Sequence, residues 1–118
     1  MTLQDEEPER LFSYGTLQSE PVQIAIFGRA LEGTPDTLLR YQVTMSATED
    51  QEFAKKNGAV HRNLQFTGNE SDIVQGTVLT ITRKELQQAD GYEPADYQRV
   101  LVQLKSGNKA WVYLNRRP

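Results

Sequence analysis

A chain of 118 residues, 37% hydrophobic and 25% charged, is long enough for one domain with its own core. Its net charge of −3 argues against a nucleic-acid surface, which needs a basic face, and the absence of cysteine excludes disulfides, thiolate nucleophiles and cysteine metal sites. No apolar run approaches the roughly 18 residues of a membrane helix, and the N-terminus is acidic where a signal peptide is basic, so a cytoplasmic protein that binds neither membrane nor nucleic acid is expected.

Residues 1–9, "MTLQDEEPE", carry four acidic side chains and little to bury, and read as a flexible lead-in to a single domain over 10–118. Arg10–Tyr14 reads as a first strand. "SEPVQIAIFGRA" then predicts a short helix, with Pro21 near its first position and Val22 and Ile26 one turn apart. From Ala30 to Val43 the pattern suggests two strands around a "GTPD" turn at Gly33–Asp36. The polar stretch 46–72 reads as loop with at most one short ordered piece.

"DIVQGTVLTI", Asp72–Ile81, has the β-branched content of a strand, and Gly76 within it predicts a bulge or a close backbone approach. Thr82–Glu85, "TRKE", is a capping-box signature: the threonine oxygen accepts an orphan amide while the glutamate reaches back. The helix it starts is bounded by Gly91 and Pro94. "YQRVLVQL" and "KAWVYLN" read as two strands joined through Ser106, Gly107 and Asn108. Strands outnumber helices, so the class is α+β: a small mixed β-barrel or strongly curled sheet with a few short helices.

Few residues can carry chemistry. His61 is the one histidine, which rules out a multi-histidine metal site; in its polar setting it reads as a surface residue. Ser13 and Thr16 need a neighbouring base to act as nucleophiles, and read as turn hydroxyls instead. Among the carboxylates Glu93 stands out in "ADGYEPADYQRV", after a capped helix, between Tyr92 and Tyr97, and before a proline that fixes its backbone. Burial against those rings would raise its pKa and make it a proton shuttle. The plainer alternative is a loop glutamate paired with Arg99 or with nothing.

"YGTL" at Tyr14–Leu17, "VQGTVLTIT" at Val74–Thr82 and "ADGYEPADYQRVLV" at Ala89–Val102 together resemble the gamma-glutamylcyclotransferase-like family, which includes the gamma-glutamylamine cyclotransferases. The resemblance extends over residues 10–114, and its specificity lies in the order of the three stretches. It departs at Pro94, where glycine is frequent, and at Ala89, where leucine is common. It implies a small mixed barrel that closes a gamma-glutamyl group into 5-oxoproline and releases an amine, without cofactor or metal. Glu93 falls on the catalytic acid/base. Tyr14, Gly15, Thr16 and Leu17 fall on the loop that grips the glutamyl moiety, partly through main-chain amides, and Tyr97 and Arg99 on positions that shape the site. Tyr14 reads equally as an aromatic that closes the core at a strand end, and Tyr113 as a core or sheet residue.

Two alternatives use the same residues. One is a non-catalytic module that binds a gamma-glutamyl compound or another small acid. The other is an interaction protein whose hairpin edge recruits a partner, which predicts a flat apolar patch and no polar pocket between the first turn and Glu93.

Overall fold

The structure, a computed structural model, describes residues 8–115. Seven strands and three helices follow in order: β1 (Pro8–Ser13), α1 (Glu20–Phe27), β2 (Glu32–Leu39), β3 (Tyr41–Ala47), α2 (Gln51–Asn57), β4 (Val60–Phe66), β5 (Ile73–Thr82), α3 (Arg83–Tyr92), β6 (Gln98–Gln103) and β7 (Lys109–Leu114). A 3₁₀ turn at Thr16–Gln18 links β1 to α1. Five strands form one sheet in the order β2-β5-β1-β7-β6, while β3 and β4 pair apart as a two-stranded ribbon.

Among the described residues the two sheets form no closed barrel. β2 and β6 end the five-stranded sheet as edges, and β3 and β4 pair with each other rather than bridging them. β1 sits at the centre, antiparallel to β5 and parallel to β7. Its alternating side chains enter two different cores, as the period of two requires. Phe12 joins Leu38, Val78 and Val112, against which the ribbon packs through Leu64 and Val43. Leu11 joins Leu79, Ile81 and Tyr113 on the other face, covered by Leu86 and Ala89 of α3 and by Val22 and Ile26 of α1.

Local chemistry accounts for the elements. α1 carries Pro21 in its first turn and ends on Gly28, whose φ of 76° is the left-handed cap conformation. The capping box of α3 forms in full: the Glu85 amide donates to Thr82 Oγ1 at 3.1 Å and the Thr82 amide to Glu85 Oε1 at 2.9 Å. Arg29 adds two bonds to the same carboxylate, both of 2.8 Å, and holds Glu85 below the usual carboxylate range. Gly76 marks a close approach, since a Cβ there would stand 2.5 Å from the Ser13 carbonyl oxygen and 2.6 Å from the Phe12 ring.

Three expectations are corrected. "GTPD" is no turn but the middle of β2, an edge strand that tolerates Pro35 because one side of its backbone needs no partner. The chain reverses instead at Arg40, with φ 73°, whose amide donates to the Asp72 carbonyl. The polar stretch 46–72 is largely ordered, holding the end of β3, α2 and the whole of β4. Its order comes from pairing and capping rather than burial: β3 and β4 match over seven residues, and Asp50 caps α2 by accepting from the Phe53 amide at 3.1 Å. Pro8 and Glu9, expected in the lead-in, belong to β1; the rest of that lead-in, residues 1–7, and residues 116–118 lie outside the described residues.

Two aspartates fasten the ribbon to the segment that follows α3. Asp50 accepts from the Ala95 amide at 3.0 Å. Asp96 accepts from the Thr48 hydroxyl at 2.7 Å and the Glu49 amide at 3.0 Å.

Candidate active site

A cleft of about 200 Å³ opens where β1, the 3₁₀ turn, the ribbon and the end of α3 converge. Tyr14, Gly15, Thr16, Leu17, Glu93 and Tyr97 all line it, with Arg62 and Tyr113 among their neighbours. Segments nearly eighty positions apart in sequence thus meet at one place, and the Thr16 hydroxyl and the Tyr92 hydroxyl, 3.0 Å apart, tie them directly.

Glu93 is the helix C-cap. Pro94 excludes the helical conformation for the residue before it, and Glu93 accordingly turns extended, with φ −67° and ψ 155°. Its amide still closes the helix on the Ala89 carbonyl at 3.0 Å, while its side chain leaves the helix for the cleft. The residue is half-buried, open toward the cleft and enclosed elsewhere by protein. That desolvation, helped by the negative charge of Asp90, pushes its carboxyl up from 4.5 to about 7. Among the described residues no hydrogen bond engages the carboxyl, which leaves it available to a ligand.

Asp90, one helical turn earlier, is held from two sides. Arg99 grips it with bonds of 2.9 and 3.1 Å, and the Tyr113 hydroxyl donates to it at 2.6 Å. The Arg99 guanidinium lies 4.4 Å over the Trp111 ring. Arg99 therefore pairs with Asp90 rather than with Glu93. Tyr113 is buried, and its hydroxyl is driven well above its usual range by burial and then by the Asp90 bond.

The opening turn is built from its neighbours. Tyr14 is buried and donates to the Tyr113 main-chain carbonyl at 2.6 Å, so it closes the core while its ring lines the cleft. Burial, then Tyr97 and Glu93, raises its hydroxyl pKa far above the usual phenol, against a lowering by Arg62. A Cβ on Gly15 would meet no atom within 4 Å, and Gly15 itself lines the cleft. The amides of Thr16 and Leu17 open the 3₁₀ turn and have no carbonyl within it to accept them.

Gln23, unremarked in the sequence, fixes that turn. Its side chain is buried, donating to the Leu17 carbonyl at 2.8 Å and accepting from the Leu31 amide at 2.9 Å. Tyr97 donates its hydroxyl to the Arg62 carbonyl at 3.0 Å, and burial, with Glu93 next, pushes its pKa to about 12.

The ribbon supplies the remaining wall through Met45, Val60, His61 and Arg62, joined by Phe53 of α2. His61 is half-buried rather than a simple surface side chain. Its Nε2 lies 2.5 Å from the Gly58 carbonyl, and its ring meets Phe53 edge-on with centroids 4.7 Å apart. The stretch 46–72 is a plausible wall of the leaving-amine half of the pocket from sequence, but none of these individual residues is legible as a site residue, because the stretch shows no periodicity. Among the described residues no group of three or more histidine, aspartate or glutamate side chains is placed to hold a metal ion. No helix among them is long and apolar enough to cross a membrane.

One carboxyl raised to about 7, sharing a cleft with an open turn of main-chain amides, marks a candidate small-ligand site on an α+β domain. The chain belongs to the gamma-glutamyl cyclotransferase, AIG2-like family, whose model matches residues 11–118. No curated protein matches the sequence. Among solved structures, an Arabidopsis thaliana protein determined in solution is similar at 24% identity and a TM-score of 0.72, over 97% of this chain and 66% of its own. An uncharacterised Homo sapiens protein is similar at 17% identity and 0.66, over 92% and 67%. A gamma-glutamyl cyclotransferase is similar at 14% identity and 0.68, over 92% and 66%. At these identities the likeness is one of fold, and this chain spans about two thirds of the length of those proteins.

Proposed function

We propose that the protein cyclises a gamma-glutamyl group to 5-oxoproline and releases the amine bound to it, with Glu93 as the acid/base. The observation that carries the reading is the Glu93 carboxyl, pushed to about 7 in the same cleft as the Tyr14–Leu17 turn. Family membership and a gamma-glutamyl cyclotransferase among the fold's neighbours support it.

The substrate's α-amino group attacks its own γ-carbonyl. Both groups belong to one molecule, so holding that molecule folded supplies a large effective concentration. The substrate arrives as an ammonium, which has no lone pair to attack with. Glu93 as carboxylate takes one ammonium proton, and a base near 7 does so far more readily than one at 4.5. The new N–C bond yields a tetrahedral oxyanion. Its collapse breaks the bond from the γ-carbon to the leaving nitrogen, which takes its proton from the Glu93 acid. The ring nitrogen gives up its remaining extra proton to solvent, from which the departing amine takes one to become an ammonium. The carboxylate is regenerated, and one group has served both steps.

The Thr16 and Leu17 amides, with the room at Gly15, grip the α-carboxylate as an anion nest. Tyr14 and Tyr97 shape the walls around the glutamyl chain. Incubation with a panel of gamma-glutamyl amines and peptides, read by 5-oxoproline release, tests the assignment. Binding of such compounds without 5-oxoproline would instead identify a non-catalytic module on this scaffold.

A further inference from the structure

The charged side chains that line the cleft are Glu93 and Arg62, with His61 the one further titratable group on the ribbon wall. Glu93 is committed to protons in the reading above. Arg62 lies on β4 across from Met45 in the β3–β4 register. Its side chain is exposed, and among the described residues it forms no ion pair or hydrogen bond. Its backbone, by contrast, is fixed, because the Tyr97 hydroxyl donates to the Arg62 carbonyl at 3.0 Å. A guanidinium free of internal partners on an anchored strand is a receptor for a planar anion.

Its surroundings select which anion. Residues paired in register point to one face, and Val60, two positions away, shares that face with Arg62 and Met45. Met45 is 63% exposed and Val60 58%, and both line the cleft. A cation beside two open apolar side chains matches an amine that carries a carboxylate and an apolar group. The glutamyl end has its own acid receptor in the turn amides at 16–17, so the ribbon is left to the other end of the substrate.

We propose that Arg62 is the specificity-determining residue of this cleft, taking the carboxylate of an acidic leaving amine while Met45 and Val60 receive that amine's apolar part. This rests on the cyclotransferase reading and extends it to the leaving group, favouring gamma-glutamyl derivatives of apolar amino acids over those of neutral or cationic amines.

The test compares three substrates with the purified full chain: gamma-glutamyl-leucine, its leucinamide counterpart and gamma-glutamyl-putrescine, each read by 5-oxoproline release. Losing one charge-assisted pair corresponds to about 10- to 100-fold. The wild-type ratio of kcat/KM for acid over amide is expected in that range, and Arg62→Gln should bring it close to one. Arg62→Glu should favour the putrescine compound. Circular dichroism confirms that these surface variants fold. An acid-to-amide ratio that Arg62→Gln leaves unchanged overturns the inference alone. So does an equal fall on acid and amide, which would place Arg62 on the glutamyl carboxylate. A wild-type chain that releases 5-oxoproline from none of the three, nor from the wider panel, ends the cyclotransferase reading and the role of Arg62 with it.

Discussion

Replacing Glu93 by glutamine separates two consequences of one burial. The amide keeps the shape of the carboxyl and cannot exchange the proton, so turnover should fall by the roughly 10²- to 10⁴-fold that acid–base assistance contributes. Stability should move the other way. A carboxyl raised in the folded chain from 4.5 to about 7 binds its proton more tightly there than in the unfolded chain. The two states are equally protonated below 4.5, and folding loses ground as pH rises from there through 7. At about 1.4 kcal/mol per tenfold change in proton affinity, the full penalty above pH 7 is about 3 kcal/mol, of which water in the open cleft relieves a part. Glutamine has no charge to desolvate. Glu93→Gln should therefore be more stable than wild type at pH 8 by about 1–3 kcal/mol, several degrees in Tm for a domain of this size. At pH 4 the difference should be near zero. Thermal unfolding at both pH values, with a 5-oxoproline assay on the same samples, checks both. A stability gap that does not vary with pH would refute the burial argument, and wild-type turnover would remove Glu93 from the chemistry.

Three further outcomes are expected. In wild type, kcat/KM should rise with pH through about 7 as the Glu93 carboxylate forms, and Asp90→Asn, which removes the neighbouring negative charge, should move that rise to lower pH; a pH–rate profile that does not move contradicts the assigned cause. Gly76→Ala puts a Cβ 2.5 Å from the Ser13 carbonyl and should destabilise by about 1–3 kcal/mol in denaturant titration. Gln23→Ala leaves the Leu17 carbonyl and the Leu31 amide without their side-chain partners, so about 1–3 kcal/mol of stability should be lost. The same change should raise KM more than it lowers kcat, since it loosens the turn rather than the acid; steady-state kinetics over a substrate series would show this.

What the sequence makes legible is what local chemistry decides. The Thr82–Glu85 box, the Pro21 start of α1 and the pre-proline setting of Glu93 each depend on residues within a few positions, and each forms. What it hides depends on partners far away. Pro35 looks like a turn residue until β2 is known to be an edge, where its missing amide hydrogen is no loss. The ribbon buries only Asn63 and Leu64 of β4 and nothing of α2, so no apolar period announces it. Gln23 looks like any helix glutamine, because its partners lie six and eight residues off. The role of Asp90 as the anchor for Arg99 and Tyr113 likewise waits on β6 and β7 coming together. The barrel expectation fails for the same kind of reason, since composition cannot say which strands remain at the edges.

The ribbon's attachment has an evolutionary consequence. It shares no strand pairing with the main sheet, and Asp50 and Asp96 stitch it to the backbone just past Glu93. Outward-facing positions such as 45, 60 and 62 can therefore change without disturbing the pleated platform beneath, and each change presents a new surface to the cleft they line. Under the proposed function, a lineage changes what it accepts by redecorating this one appendage while the half that carries Glu93 stays as it was.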